Sequence, residues 1–353
     1  MKTGTATITL DYGKCPKWLF ERIKTLGGIM SEIIIEEFGV DEFLKRISHP
    51  VWFQTLGSLL AFDWNSSGLT VVLTAALKEF FKERNLGIYI AGGKGKTSRK
   101  TPEEILLLAE KININAVKYS KISKLVAKVD NSLIQDGFNL YHHSFILTEK
   151  GNWAVIQQGM NTLKGLARRY HWYSSEKLTE EPHSGIVSEI FFKKVLNLTS
   201  KESRKNKEGM IKVLNEENKI VQEIKKVLIL NSNKSEKNLF VPNIEFSWHP
   251  VVEEKFDLKR LTKTVEKARF IAPKTIEELL LIEGMGSRTI RALSLVSEVI
   301  YGAKPSFEDP ARYTFAHGGK DGTPYFVDRQ TYDETIKIFN KALKIAKSSR
   351  IHI

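Results

Sequence analysis

Six polar side chains that could act together in catalysis lie between residues 128 and 161. They are Asp130, Asp136, His142, His143, Gln157 and Gln158. The segments 138–148 and 153–159 are strand-like and flank Glu149–Asn152, so they are predicted to form a β-hairpin around that turn. Pairing outward from the turn sets His143 opposite Gln158. Polar groups at one end of a buried hairpin are costly unless they bind something.

This cluster suits metal-dependent hydrolysis of a phosphodiester. Carboxylate oxygens with a few neutral ligands suit Mg²⁺ or Mn²⁺, which activates water and offsets developing charge. The predicted metal ligands are Asp63, Asp130, Asp136 and Gln157. The predicted catalytic residues are Asp130, Asp136, Lys128, His142, His143 and Gln158. The alternative is a polar network that is satisfied within the protein and only orders the end of the hairpin.

Residues 275–302 are typical of a helix–hairpin–helix, a motif that holds the nucleic-acid backbone. Thr275 and Glu278 form a capping box that starts one helix, and the two glycines within Glu283–Ser287 favour a tight turn. The N–H groups at the start of the second helix would face a phosphate over the turn. The predicted DNA contacts are Gly284, Gly286, Ser287, Arg288 and Arg291. The alternative is an ordinary helical hairpin that packs in a core.

A basic loop at residues 91–100 is predicted to guide a DNA strand with Lys94, Lys96 and Arg99. It follows a strand and contains Gly-Lys-Thr, like a nucleotide-binding P-loop. However, Ile90 stands where the leading glycine of that motif belongs, and the next helix starts only near residue 101. The loop is therefore predicted to contact phosphates of a DNA backbone rather than ATP.

The segment 168–172 alternates cations with aromatic rings. Arg168, Arg169 and Trp172 are predicted DNA contacts, because such side chains can stack on an unpaired base and hold its phosphate. The alternative is that the rings of this segment face the core while its arginines face solvent.

The composition favours a polyanionic partner. The net charge is +13 over 353 residues, and the calculated isoelectric point is near 9.5. The sequence has no apolar run of about eighteen residues and no signal peptide, so no membrane association is expected. Its single cysteine, Cys15, excludes an internal disulfide and favours a reducing cytoplasm.

The mixture of strand and helix patterns predicts an α+β fold with two domains. Residues 1–197 form a mixed domain that contains the buried hairpin, and residues 198–240 form a charged helical linker. Residues 241–353 form a smaller, mainly helical domain around the helix–hairpin–helix, with a last helix at about 331–347. A single domain with a surface excursion at 198–240 is the alternative.

Several blocks of this sequence resemble a prokaryotic, largely archaeal family catalogued as a domain of unknown function, series number 763. They include WFQTLG (52–57), FDWNSSG (62–68), AGGKGKTSRKTPEE (91–104), WAVIQQGMN (153–161) and DPARYTFAHGGKDGTPYFVDR (309–329). The resemblance spans nearly the whole chain and implies no activity. Asn65 stands where the family pattern has His, which argues against an indispensable ligand at that position.

Two enzyme classes show weaker resemblances. The hairpin cluster resembles restriction-type nucleases, although Gly159 and Met160 stand where those enzymes have a lysine. The spacing from the helix–hairpin–helix to Asp309 resembles DNA glycosylases, in which such a carboxylate stabilises a cationic transition state. The Schiff-base lysine of the bifunctional glycosylases would fall near Ser287, where this chain has none. Asp309 is alternatively the cap of a helix that begins at Pro310.

The sequence thus leads to one leading function and two alternatives. The leading hypothesis is a Mg²⁺- or Mn²⁺-dependent DNA nuclease of repair or processing, which docks through the helix–hairpin–helix. The alternatives are a non-enzymatic DNA-binding scaffold and a glycosylase that uses Asp309. A homodimer would place two hairpin motifs on one duplex, and a repair protein or helicase is a further expected partner.

Overall fold

Alternating side chains between residues 139 and 173 build the sheet at the centre of the fold. A computed structural model describes residues 5–10, 13–62, 66–184, 192, 194–216 and 257–311, together with Gln222, Lys337 and Lys341. The strands are β1 (Thr5–Thr9), β2 (Ile88–Lys94), β3 (Ile134–Gln135), β4 (Asn139–Thr148), β5 (Trp153–Asn161), β6 (Leu166–Tyr173) and β7 (Leu196–Asn197). Five of them form an antiparallel sheet in the order β1-β6-β5-β4-β2, and β3 pairs with β7.

Helices cover both faces of this sheet. They are α1 (Lys17–Phe38), α2 (Val40–Ile47), α3 (Pro50–Leu59), α4 (Ser67–Glu83), α5 (Lys96–Arg99), α6 (Thr101–Lys111), α7 (Ala116–Lys128), α8 (Arg204–Glu216), α9 (Leu258–Ile271), α10 (Ile276–Leu281) and α11 (Ser287–Tyr301). A π-helical turn, Val129–Leu133, extends α7, and a 3₁₀ turn, Lys201–Ser203, precedes α8. The α+β prediction is therefore confirmed.

The β4–β5 hairpin has a register one residue away from the predicted one. Leu147 pairs with Trp153, and the N–H of Thr148 donates to the carbonyl of Asn152. Gly151 adopts a left-handed φ of 81°, which closes a loop of only Glu149, Lys150 and Gly151. Asn152 therefore belongs to the paired backbone, and each residue from Trp153 to Gln158 meets a partner one position away from the one expected. An irregularity between Leu140 and His142 makes the difference two positions at Gly159.

Two hydrophobic cores lie on opposite faces of the sheet. Ile146 and Ile156 pack with the buried side of α1–α4. Phe145 and Val155 pack on the other face, in a core that reaches Val213 of α8 and into α10 and α11. The described part of the predicted linker at 198–240 therefore contains a helix of this second core. The predicted helix at 331–347 lies outside the described residues, apart from Lys337 and Lys341.

The helix α7 connects the sheet to the C-terminal helices. The side chain of Asn115 caps its start by accepting from the N–H of Lys118 at 2.9 Å. Ser123 and Val126 face the sheet side, whereas Lys121 and Lys124 are exposed. The π-helical turn that follows turns Asp130 into the interior and leads directly to β3. Such turns are frequent at functional sites, which draws attention to the groups that α7 positions.

Candidate nucleic-acid interface and the polar networks behind it

The polar side chains of the β4–β5 hairpin lie at one end of it but are divided between two faces of the sheet. His143 pairs with Gln157, and His142 pairs with Gln158. Neighbouring residues of a strand point to opposite faces. His143 and Gln157 therefore face α7, whereas His142 and Gln158 face α4. The sheet splits the predicted cluster into an α7-side network and an α4-side network.

The α7-side network surrounds the fully buried carboxylate of Asp130. Its Oδ2 accepts from Nε2 of Gln157 and, at 2.9 Å, from Nε1 of Trp172. Its Oδ1 lies next to Nε2 of His183. Both oxygens of the carboxylate therefore already have protein partners.

A chain of hydrogen bonds leads from α7 to this carboxylate. Oγ of Ser123 lies 2.8 Å from Nε2 of His143, and Nδ1 of His143 lies 2.7 Å from Oε1 of Gln157. The amide oxygen only accepts, so His143 carries its proton on Nδ1 and Ser123 donates to Nε2. Burial lowers the pKa of His143 to about 4, which keeps the ring neutral at pH 7. This arrangement orders side chains in the interior, where the Ser123 hydroxyl has no access to solvent.

A second group on the same face joins two carboxylates through one arginine. Nη1 of Arg168 donates to Oδ2 of Asp136 at 2.9 Å, and its two terminal nitrogens contact both oxygens of Asp309 at 2.9 and 2.7 Å. The hydroxyl of Tyr170 donates to Asp136 at 2.8 Å. Burial raises the pKa of Asp136, and the Arg168 guanidinium opposes that shift. Asp309 thus closes a buried ion-pair group.

The α4-side network holds Gln158 and His142. Nε2 of Gln158 donates to the carbonyl of Ser67 at 2.9 Å, and its Oε1 accepts from the hydroxyl of Thr70. Nε2 of His142 lies 3.1 Å from Oγ1 of Thr74. Burial lowers the pKa of His142 to about 3, so this ring is also neutral at pH 7. Neither imidazole is therefore poised to exchange protons near neutral pH.

Arg169 occupies the centre of the α4-side network. It donates to Oε1 of Gln54 at 3.0 Å and to Nε2 of His171 at 2.9 Å, and its guanidinium lies 4.7 Å from the ring centre of Phe53. Burial lowers the pKa of Arg169 to about 9. The arginine therefore ties α3 to β6 within the protein.

The structure places Arg168, Arg169 and Trp172 in the interior instead of on a DNA-binding surface. Each is 0% exposed. The two predictions for this segment were that its rings and arginines bind DNA together, or that the rings face the core while the arginines face solvent. Because both faces of β6 are covered by helices, neither face of this strand reaches solvent, and these residues cannot contact DNA in this structure.

The groups around the predicted metal ligands do not fit a divalent cation. Gln157 and Trp172 point N–H groups at Asp130, whereas Arg168 points an N–H group and Tyr170 an O–H group at Asp136. A cation needs oxygen lone pairs, not N–H groups. Over the described ranges, no group of three or more His, Cys, Asp or Glu side chains is arranged to hold a metal ion. Asp63 lies outside those ranges.

The turn between α10 and α11 lies at the surface, as a DNA-binding turn must. Oγ1 of Thr275 accepts from the N–H of Glu278 at 3.2 Å, which confirms Thr275 as the predicted cap. The Glu278 carboxylate accepts from the N–H of Lys274 and not from that of Thr275, so the reciprocal half of the capping box is displaced by one residue. Gly284 is exposed and adopts a left-handed φ of 86°, and Gly286 and Ser287 are partly exposed. Arg288 is exposed, but Arg291 is 9% exposed and its Nε donates to the Gln135 side chain. Arg291 therefore fixes α11 to β3 and does not face solvent.

A row of lysines on α7, three of which were not among the predicted site residues, leads to this turn. Lys118, Lys121 and Lys124 are exposed, and they are called the α7 lysine face here. Lys128, one helical turn further, is partly exposed, and its Nζ donates to the carbonyl of Met285 in the turn. The signal was present in the sequence, because the lysines repeat every three to four residues, which is the spacing of one face of a helix. No local sequence pattern predicts that α10 packs beside α7.

The other predicted cations and one missed residue lie elsewhere. Lys94, Lys96 and Arg99 are exposed around the end of β2, with Nζ of Lys94 5.8 Å from the ring centre of Tyr141. His183 was missed, although it contacts Asp130 and lies 4.7 Å from the ring centre of Trp172. It lies in an irregular segment that gives no local signal.

Comparison with known families agrees with the resemblance of the sequence blocks. A family described as "Protein of unknown function (DUF763)" matches residues 4–327. The chain belongs to this family. The matched range includes the central sheet, both polar networks, α7 and the turn between α10 and α11. No curated protein and no solved structure matches the chain.

None of the helices in the described part of the chain is long and apolar enough to cross a bilayer.

Proposed function

We propose that the protein binds DNA through its sugar–phosphate backbone, with the α10–α11 turn and the α7 lysine face forming one surface. The observation that carries this proposal is the contact between Lys128 and Met285, which places the end of α7 against the turn. The turn and the α7 lysine face would each hold few phosphates alone, and this contact joins them into one continuous surface. The helix–hairpin–helix predicted from the sequence supplies the motif, and α7 supplies its extension.

The dimensions of the surface suit a duplex. A helix rises about 1.5 Å per residue, so Lys118 and Lys128 are separated by roughly 15 Å along α7. Base pairs repeat every 3.4 Å or so along a duplex, and the row therefore spans about four steps. Lysines at such spacing neutralise phosphates without reading bases.

The turn adds donors where the row of lysines ends. The first helical hydrogen bond of α11 runs from the N–H of Ile290 to the carbonyl of Gly286. The N–H groups of Ser287, Arg288 and Thr289 precede that bond, and they lie at the positive end of the helix dipole. The absence of a Cβ at Gly286 lets a phosphate oxygen approach this end, whereas a Cβ at Gly284 would meet the side chain of Thr264.

The buried networks favour a binding role over the nuclease. Asp130 and Asp136 are engaged by Gln157, Trp172, Arg168 and Tyr170, the arrangement expected if the cluster only orders the protein. The Mg²⁺- or Mn²⁺-dependent nuclease stays a prediction of the sequence, and an ion at Asp130 would first have to displace those donors. The glycosylase stays a prediction as well, with Asp309 held by Arg168. The homodimer and a repair or helicase partner also stay predictions of the sequence.

The test is the salt dependence of DNA binding, measured by fluorescence anisotropy with a labelled duplex. Replacing Lys121 and Lys124 by Ala should weaken binding of every duplex sequence alike and reduce the slope of log K against log salt by about 2, since each phosphate contact contributes about 0.9. The matched control is Lys205→Ala with Lys212→Ala, which removes two exposed charges from α8.

An unchanged slope in the α7 double variant, or equal losses in both double variants, would contradict the proposed surface. Incubating end-labelled DNA with the protein in Mg²⁺, Mn²⁺ or EDTA tests the nuclease separately. Cleavage that needs the metal and disappears in Asp130→Asn would establish it.

A further inference from the structure

Lys128 differs from the other lysines of α7 in its surroundings. Lys121 and Lys124 extend into solvent, whereas Lys128 is partly buried between α7 and the turn, where its amine donates to the carbonyl of Met285. Gly284 and Gly286 flank that carbonyl and are both open to solvent at least in part. A DNA strand that lay over these glycines would bring its sugars next to the Lys128 amine.

Burial also changes the chemistry of this amine. Desolvation lowers the pKa of Lys128, which increases the share of the neutral, nucleophilic form. A lysine in such a setting can form a Schiff base with a carbonyl compound. No lysine lies near Ser287 in the sequence, where the Schiff-base lysine of the bifunctional glycosylases would fall, but the fold supplies one from a position 157 residues away from Met285.

We propose that Lys128 is the nucleophile of a lyase activity on abasic sites in DNA, an inference that rests on the proposed DNA binding. An abasic site opens to an aldehyde at C1′, the electrophile that an amine attacks. It also lacks the base, so a surface that contacts only the backbone can hold it as well as any other nucleotide.

The reaction balances with water as its only other participant. The Lys128 nitrogen bonds to C1′, and the carbonyl oxygen leaves as water, which gives an imine that takes up a proton. The iminium withdraws electrons, a water molecule accepts a proton from C2′, and a C2′–C3′ double bond forms. The C3′–O bond breaks, and the 3′ phosphate leaves with its electron pair. Hydrolysis of the imine returns the lysine amine and an unsaturated aldehyde on the 5′ fragment.

The experiment is reductive trapping with the full-length protein. A labelled duplex with one abasic site is incubated with the protein and sodium cyanoborohydride, which converts the imine into a stable amine. The expected result is a covalent protein–DNA complex that resists denaturing electrophoresis and forms at least tenfold less in Lys128→Arg and Lys128→Met. A duplex without the abasic site should give no complex.

Peptide mapping of the trapped wild-type protein removes the dependence on a well-folded variant. The adduct should lie on Lys128 and not on Lys207, a second lysine whose pKa burial lowers but whose amine contacts the carbonyl of Thr179 instead of the turn. An adduct spread over many lysines, or one that Lys128→Met leaves intact, would overturn the assignment.

Binding to the same duplex, measured without reductant, separates the two proposals. Salt-dependent binding without trapping overturns the lyase activity and leaves the DNA-binding surface standing. If neither intact nor abasic duplex is bound, both proposals fail.

Discussion

At the scale of single residues, burial decides what each charged side chain can do. Arg168 and Arg204 both make two hydrogen bonds to one carboxylate, Arg168 to Asp309 and Arg204 to Glu180. The side chain of Arg168 is 0% exposed and that of Arg204 is 57% exposed. The first pair is shielded from water and the second is not, so equal geometry gives unequal contributions to stability.

We therefore expect Arg168→Met to lower the free energy of unfolding by about 3–5 kcal/mol, because it leaves the carboxylates of Asp136 and Asp309 buried without this cation. Arg204→Met should change it far less, since water already screens that pair. Urea unfolding followed by circular dichroism at pH 7 measures both. Similar losses in the two variants would show that burial does not control these pairs.

Residue types could be predicted from the sequence better than their partners could. Asp130, His143 and Gln157 were singled out as members of one polar cluster, and they do touch through hydrogen bonds. Asp130 and Gln157 were predicted as metal ligands from their residue types and their place near the end of the hairpin, which do not show whether donors or lone pairs point inward. The contact between Arg168 and Asp309 joins residues 141 positions apart, and no local sequence pattern predicts a contact over such a separation.

At the scale of elements, the position of the turn depends on how closely α11 packs on α8. A Cβ built at Gly209 of α8 would lie 2.1 Å from Oγ of Ser297 on α11, so only glycine allows this approach. Ser297 also donates from the same Oγ to the carbonyl of Asn206 at 3.0 Å. The glycine thus sets the distance between the two helices.

Gly209→Ala is expected to destabilise the protein by roughly 1–2 kcal/mol. Overpacking costs about 1–3 kcal/mol, and the better helix propensity of alanine returns up to about 1 kcal/mol. Guanidinium unfolding gives the change, and Lys205→Ala, at an exposed position of α8, is the control. A stabilised Gly209→Ala variant would mean that α8 can move away from α11 at no cost.

The existence of the main elements followed from the sequence, whereas their exact pairing did not. The strand before the basic loop, the hairpin and the helix pair at 275–302 have counterparts in β2, β4–β5 and α10–α11. The hairpin register was wrong by one residue because the conformation of Gly151, not the number of turn-like residues, determines where pairing begins. That single step also decides which side chains share a face of the sheet.

At the scale of the whole molecule, one hydrophobic core joins the central sheet to the C-terminal helices. Phe145 and Val155 of the sheet share it with Val213, Leu279 and Leu293. The division at 197 and 240 predicted from the polar composition remains to be tested. Composition shows where a chain is solvated, but it does not show which apolar faces meet across a solvated stretch.

We expect residues 1–197 alone to be unable to fold, because removing α8, α10 and α11 would expose the apolar face that they cover. The full chain should unfold in one transition. Tryptophan fluorescence, sensitive to Trp153 and Trp172, and circular dichroism, dominated by the helices, should give the same midpoint. Two separated midpoints, or a folded 1–197 fragment, would support independent domains.

Because of the π-helical turn at Val129–Leu133, a change in the number of residues in this stretch should disturb the structure more than a substitution does. Deleting one residue there would restore the ordinary helical hydrogen-bond pattern and rotate the following residues by about 100° around the helix axis. Asp130 contacts Trp172, and Gln135 contacts Arg291. After the deletion these two residues could no longer keep their contacts while Lys128, which precedes the π-helical turn, keeps its contact with Met285. Insertions and deletions between 116 and 136 should therefore be far less tolerated than substitutions of the exposed lysines.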